Sequence, residues 1–326
     1  MKNFQELIPV IAGRRVLYIT TKNTDYIRVS QEVALLEQGA ASLDIIGSPS
    51  RSYIKRILHV FVKLFRANMG DYDLTFVGFA PQLVLPFFGG KLKKKPLIID
   101  FFISVYDTMV DDRKKFKRGG LVAGMCHRLD EKTLAQADYV VCDTRAHGTF
   151  FAEEFNSSID KEYVLYLEAD KSIYYPRQIE RDSDKKQVLY FGSILNLQGV
   201  DVILQAMDSI KDRKDIEFTI IGPVSDSYTK PEGDNIFYIP WLSQDKLAER
   251  IAGADLCLAG HFSGDIMKAK RTIPGKAYIY EAMNKPMILG DGMANRELFT
   301  ADDRHIFVPM GDAQALGSAI IDFFER

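Results

Sequence analysis

The chain has 326 residues, 47% of them hydrophobic and 26% charged, with a net charge of −2. That length suits two domains of ordinary size, and the composition excludes a disordered or fibrous chain. Residues 1–175 hold 24 Lys and Arg against 21 Asp and Glu and residues 176–326 hold 18 against 23, so nothing in the overall balance points to nucleic acid.

In chain order, residues 15–20 (RVLYIT) read as a strand, 30–38 as a helix closed by Gly39, and 43–47 as a second strand. Residues 53–67 form a strongly amphipathic helix. Strands follow at 74–79 and 96–101, then a helix near 121–136 and strands at 138–142 and 161–167. Apolar, non-alternating strands interleaved with helical periods imply a parallel sheet covered on both faces. The loop after the first strand reads TTKNTD, so it carries no GxGxxG dinucleotide fingerprint. From 169 to 186 the chain turns polar and charged, with a proline at 176, as a linker would. Strands then recur at 188–191, 217–221, 236–239, 255–259, 286–289 and 306–309, with helices at 200–210, 245–252, 276–283 and 313–324. The expected architecture is α/β: two Rossmann-like parallel-sheet domains, residues 1–175 and 176–326, facing one another across a cleft.

The three cysteines, Cys126, Cys142 and Cys257, lie far apart in apolar runs, as free thiols in a reducing compartment would. The N-terminal stretch lacks a signal-peptide core, and no run approaches the ~18 apolar residues a membrane span needs. A cytoplasmic protein is expected. His59, His127, His147, His261 and His305 are scattered, with no pair at metal-ligand spacing, so no metal site is expected.

Residues 254–291 are the most informative stretch. A buried strand leads into a Gly- and Ser-containing loop, three cations (Lys268, Lys270, Arg271) and a Pro274-Gly275 break. Lys276 then opens a short helix that runs into a second buried strand. Strand carboxyl ends and open helix starts collect ligands, and free N–H groups with added cations favour an anion. A phosphate or diphosphate is the expected occupant; a solvated basic loop is the alternative.

YFGSILNLQGVDVILQAM (190–207) resembles the strand, Gly-loop and helix that open the second domain of GT-B glycosyltransferases, in particular the large retaining GT4 family. NIFYIPWLSQDKLAERIAGAD (235–255), IPGKAYIYEAMNKPMILGDGMANRELF (273–299) and GDAQALGSAI (311–320) are similar to further stretches of that family, in register. In the first half only the strand order and ADYVVCDTRAHGTFF (137–151) match. The resemblance implies a nucleoside-diphosphate sugar as co-substrate, no other cofactor, and a diphosphate leaving group stabilised by fixed cations and helix N–H groups.

Carried over by register, the resemblance places Gly192, Ser193, Gln198 and Gly199 in the family's Gly-Arg…Lys-Gly loop, with neutral side chains where two cations usually stand. Arg271 and Ile279 fall where it carries an acidic pair, and Lys276 falls on its Pro-x-Lys lysine. Lys268, Lys270, Arg271 and Lys276 are expected to supply the missing charge, with Arg271 and Lys276 assigned to catalysis. Gly192, Ser193, Gly222, His261 and Lys270 are expected to bind the donor. Glu281 would take the ribose contact or be a surface helix residue. In the first half, Asp107 is expected to contact the transferred sugar or acceptor hydroxyl, with Thr144 and Arg145 nearby.

Three basic clusters, 51–66, 86–95 and 113–118, each adjoin aromatic or apolar residues. The apolar stripe of the first (Ile54, Ile57, Leu58, Phe61, Leu64, Phe65) is expected to face the core, while its cations are expected to meet an anionic membrane surface. The expected function is transfer of a sugar to a lipid-linked or polysaccharide-precursor acceptor, with retention and without metal, by a protein peripheral on the inner face of the plasma membrane. The alternative is a catalytically silent glycosyltransferase-like partner of an active enzyme.

Overall fold

A computed structural model describes residues 1–181, 184–193 and 195–326; Asp182 and Ser183 of the expected linker and Ile194 of the Gly-loop lie outside the described residues. The chain divides into two units, Met1–Glu168 and Ala169–Arg326. The division comes earlier than the expected 175/176. Tyr174 is the reason: it is buried, and its hydroxyl donates to Gln244 of the second unit.

The first unit holds β1 (Lys2–Asn3), β2 (Arg15–Ile19), β3 (Ser42–Ile46), β4 (Leu74–Val77), β5 (Leu97–Asp100), β6 (Tyr139–Cys142) and β7 (Glu162–Val164). All are parallel, in the order β1-β7-β6-β5-β4-β2-β3, with Leu17 opposite Asp44 on one side and Thr75 on the other. Alternation along each strand feeds two apolar layers. Leu17 and Ile19 pack with Val77, Ile99 and helix residues Val60 and Leu64, while Val16 and Tyr18 pack with Phe76, Ile98 and Leu36 on the other face. The helices are α1 (Ile8–Ile11), α2 (Ile27–Gly39), α3 (Tyr53–Arg66), α4 (Leu85–Leu92), α5 (Leu121–Gln136) and α6 (Arg145–Glu154). β1, α1, α4 and α6 have no counterpart among the expected elements; the run 86–95 is mostly helix.

The second unit holds β8 (Lys186–Phe191), β9 (Ile216–Ile221), β10 (Ile236–Ile239), β11 (Leu256–Gly260), β12 (Met287–Gly290) and β13 (His305–Val308). Its parallel order is β10-β9-β8-β11-β12-β13, winding outward in both directions from the central β8–β11 pair. Such a reversal opens a crevice at the strand carboxyl ends. The helices are α7 (Val200–Ser209), α8 (Gln244–Gly253), α9 (Met267–Arg271), α10 (Gly275–Ala282), α11 (Asn295–Leu298) and α12 (Ala313–Phe324). Ile203, Met207, Leu316 and Ile320 cover one face of the sheet over Tyr190, Phe218 and Leu258. The expected strands and long helices of both halves are present, shifted by up to three residues at their ends.

Candidate functional site

The carboxyl ends of β8 and β9 are floored by two glycines. Gly192 N–H donates to the Ile221 carbonyl (2.9 Å), and both Gly192 and Gly222 sit at φ +147, where an L side chain is strained. A Cβ on Gly222 would lie 2.2 Å from the Gly192 oxygen, so the two loops approach this closely only as glycines. The sequence reading placed both at the donor site, and the structure sets them side by side.

Lys276 comes to this floor from above. Pro274 is extended and precedes the first turn of α10, and the Lys276 side chain is only 6% exposed. Its Nζ would be 3.4 Å from a Cβ on Gly192 and 3.8 Å from one on Gly260, so it lies at the β8–β11 reversal. It donates to the Gln198 side-chain oxygen and lies 4.8 Å from the centre of the Tyr190 ring. Among the described residues no carboxylate pairs with it. Burial pushes its pKa down to about 7. A buried ammonium has three donors, and one neutral acceptor leaves the others for a ligand.

His261 follows β11 and is buried, 3.4 Å from Thr272 Oγ1. Burial, then the Lys276 charge, pushes its pKa down to about 3, so it is neutral near pH 7. The expected cationic elbow is the short helix α9. Its backbone is held at the exit of β12, where Ala294 N–H donates to the Lys270 carbonyl (3.1 Å). Arg271 is buried; Lys268 and Lys270 are half-buried, and the Lys268 charge reaches His261. Ser193 is exposed on the loop after β8. The second unit thus gathers Gly192, Gly222, His261 and Lys276 with Gln198 at its strand ends.

Residues 185–326 match the family model described as "Glycosyl transferases group 1". Over nearly the whole chain the structure is similar to sucrose-phosphate synthase from Thermosynechococcus elongatus (TM-score 0.69, 14% identity, 96% of this chain and 90% of that one). It is also similar to Anabaena HepE in complex with UDP (TM-score 0.65, 13% identity, 95% and 90%). A UDP-N-acetylglucosamine 2-epimerase, so named provisionally, from Listeria monocytogenes gives a TM-score of 0.55 at 13% identity, covering 97% and 89%. No curated protein matches the sequence. The chain has the GT-B glycosyltransferase fold.

Within this GT-B chain several expected roles are corrected. Glu281 lies on α10, but its carboxylate accepts from His305 Nε2 (2.8 Å) and pairs with Arg304 (3.4 Å). His305 opens β13, so Glu281 is held at the amino edge of the sheet, away from the strand carboxyl ends where the donor is expected. Its position past the family's acidic place turns it round the helix, as 100° per residue requires. Gln198, where the family places a cation, serves instead as the acceptor for Lys276.

In the first unit Asp107 is fully buried, 3.7 Å from His147 Nε2, rather than open to an acceptor. His147 Nδ1 lies 2.8 Å from Asp143, so the imidazole sits between two carboxylates at the carboxyl end of β6. Burial opposes its protonation, yet Asp143 and Asp107 raise its pKa. The Asp143/His147 spacing of four just after a strand is the signal in the sequence that a search for metal pairs passes over. Thr144 is the N-cap of α6, accepting from His147 N–H, and Arg145 donates to the Met1 carbonyl and Asn3 side chain. Those contacts hold local structure.

Further buried carboxylates in this unit include Asp130, Asp100 and Glu32. Asp130 accepts from Gln82, Ser104 Oγ and the Val105 and Tyr106 N–H groups, fixing the loop after β5. Asp100 takes a bidentate pair from Arg28 (2.8 and 2.7 Å), which also donates to the Leu165 carbonyl. Glu32 sits against the same arginine and accepts from Tyr18; burial, then Asp100, raises its pKa well above the usual range.

Proposed function

We propose that the chain is a glycosyltransferase moving a sugar from a nucleoside-diphosphate sugar to a lipid-linked or polysaccharide-precursor acceptor, with retention and without a metal or other cofactor. The observation that carries the reading is Lys276: a buried ammonium with no carboxylate partner among the described residues, at the strand reversal and the start of α10. Helix N–H groups and this ammonium together suit the leaving diphosphate, whose charge develops as the glycosidic bond breaks. The leaving phosphate then takes the acceptor proton, so no strong protein base is required. HepE, solved with UDP and with UDP-glucose, supports a uridine nucleotide as the first probe.

Calorimetric titration with a panel of nucleoside diphosphates tests it. Micromolar binding that collapses in Lys276→Ala and Arg271→Ala supports the transferase. Silence across the panel favours the second reading, a glycosyltransferase-like partner that has lost turnover, which the departures at Ser193, Gln198 and Ile279 motivate. Turnover of a nucleotide-sugar with no acceptor present would point to an epimerase instead.

A further inference from the structure

Of the stripe expected to face the core, only Leu64 is fully buried; Ile57 and Phe61 are half-buried, and Ile54, Leu58 and Phe65 are exposed. Val60 and Leu64 of α3 are fully buried, but Ile54, Leu58, Val62 and Phe65 are 71%, 59%, 51% and 81% exposed. At about 100° per residue these four share one flank of the helix, roughly a quarter-turn or more from the buried line. Lys55, Lys63 and Arg66, all exposed, follow that flank on its outer side. Arg56, by contrast, is buried and donates to the carbonyls of Thr21, Ser50 and Arg51, so it takes no part.

α4 continues the flank. The Phe61 and Phe87 rings are 5.4 Å apart, and Phe87 is 72% exposed. Lys91 joins the helices, its Nζ donating to the Leu64 (2.6 Å) and Phe65 (3.0 Å) carbonyls, while Lys93 and Lys94 remain exposed beyond α4. Neither helix contains an acidic residue. The result is a continuous apolar ridge bordered by charge of one sign.

We propose that the α3–α4 ridge is the surface by which this chain enters an anionic phospholipid bilayer, with Leu58, Phe65 and Phe87 below the headgroups and the lysines at the lipid phosphates. It rests on the reading of the acceptor as lipid-linked and specifies where the chain meets that lipid's membrane. Charge complementarity selects the occupant. Nucleic acid would meet the cations but leave Phe65 and Phe87 in water. A bilayer offers phosphates directly above an apolar layer, and lysine stems can lie along the ridge with their ammonium groups raised to the headgroups.

The test is co-sedimentation of the full chain with phosphatidylcholine vesicles, with and without about 30% phosphatidylglycerol. Wild type should sediment with the anionic vesicles and be released as salt is raised. Leu58→Glu with Phe65→Glu, and separately Lys55→Glu with Lys63→Glu, should each cut partitioning at least about tenfold. All altered side chains are exposed, so melting temperature and UDP titration should match wild type. Equal sedimentation of wild type and both variants overturns the proposal. So does a wild-type dimer that becomes monomeric in Leu58→Glu with Phe65→Glu while binding no vesicles, which would make the ridge a self-interface. Vesicle binding without nucleotide binding would keep this surface and remove the transferase reading; nucleotide binding without vesicle binding does the reverse.

Discussion

Replacing Lys276 with Met keeps an unbranched stem of similar length against Gly192 and Tyr190 and deletes the charge. Two effects of opposite sign should follow. The ligand-free protein should lose nothing, because the ammonium is held in a buried site with Gln198 as its one hydrogen-bond partner among the described residues. Its pKa is about 7 in the folded chain against 10.5 in the ordinary case. Between those values the unfolded chain binds a proton that the folded one does not, so wild-type stability rises with pH, by at most about 1.4 kcal/mol per pH unit. Urea unfolding at pH 7 and 9 should therefore show wild type gaining roughly 1–3 kcal/mol on the variant. Donor binding should move the other way. A charge-assisted hydrogen bond contributes about 1.5–3 kcal/mol, which is roughly 10- to 150-fold in UDP affinity. Wild type should also take up a fraction of a proton on binding UDP at pH 7.5, seen by calorimetry in buffers of different ionisation enthalpy, and Lys276→Met should not. A variant that binds UDP as wild type does, and is less stable than wild type at every pH, would make Lys276 a structural residue and end the case.

Gly222→Ala forces a Cβ to 2.2 Å from the Gly192 oxygen at a positive φ, so it should cost more than about 1 kcal/mol in a urea melt and weaken UDP binding in the fraction that folds. His147→Leu removes a group whose folded pKa is raised; in wild type its stabilisation is present below about 6.5 and fades as pH rises through the folded value. Unfolding between pH 5 and 8 should thus show a fall with pH in wild type that is smaller in the variant. Glu281→Gln breaks a half-exposed pair with His305 and should change stability by less than about 1 kcal/mol and UDP affinity by less than about twofold. A large loss of affinity there would restore Glu281 to the donor site. Gln198→Lys sets a second cation against Lys276, so it should lower ligand-free stability and raise UDP affinity, both read by melting and titration. Weaker binding would mean that the pocket does not receive a diphosphate.

The sheets were legible in the sequence because strands buried on both faces are continuous apolar runs, and nearly every expected strand is present. What was not legible depends on partners distant in the chain. Two-residue β1 exists only through its pairing with β7, and the tie of Arg28 to Asp100 spans 72 positions. The Asp143–His147–Asp107 line joins the start of α6 to the segment after β5, which the sequence presents as unrelated. For α3 the periodicity identified an apolar stripe but could not say what covers it: Leu64 found the core and Phe65, its neighbour, did not.

At the candidate donor site the limit was of another kind. Register alone put neutral residues where the resembled family has cations, which reads as a defect as long as each position is judged by itself. In three dimensions the same neutrality has a use. A lysine at 198 would lie against Lys276 and drive its proton off, since like charges in a buried site each disfavour the other. Gln198 accepts from Lys276 instead, and so holds one ammonium at the strand reversal. One buried cation that is half-deprotonated near pH 7 is a weaker clamp than two, but it is one whose charge a bound diphosphate would itself complete. The neutral side chain at 198 and the buried Lys276 are therefore parts of a single electrostatic arrangement.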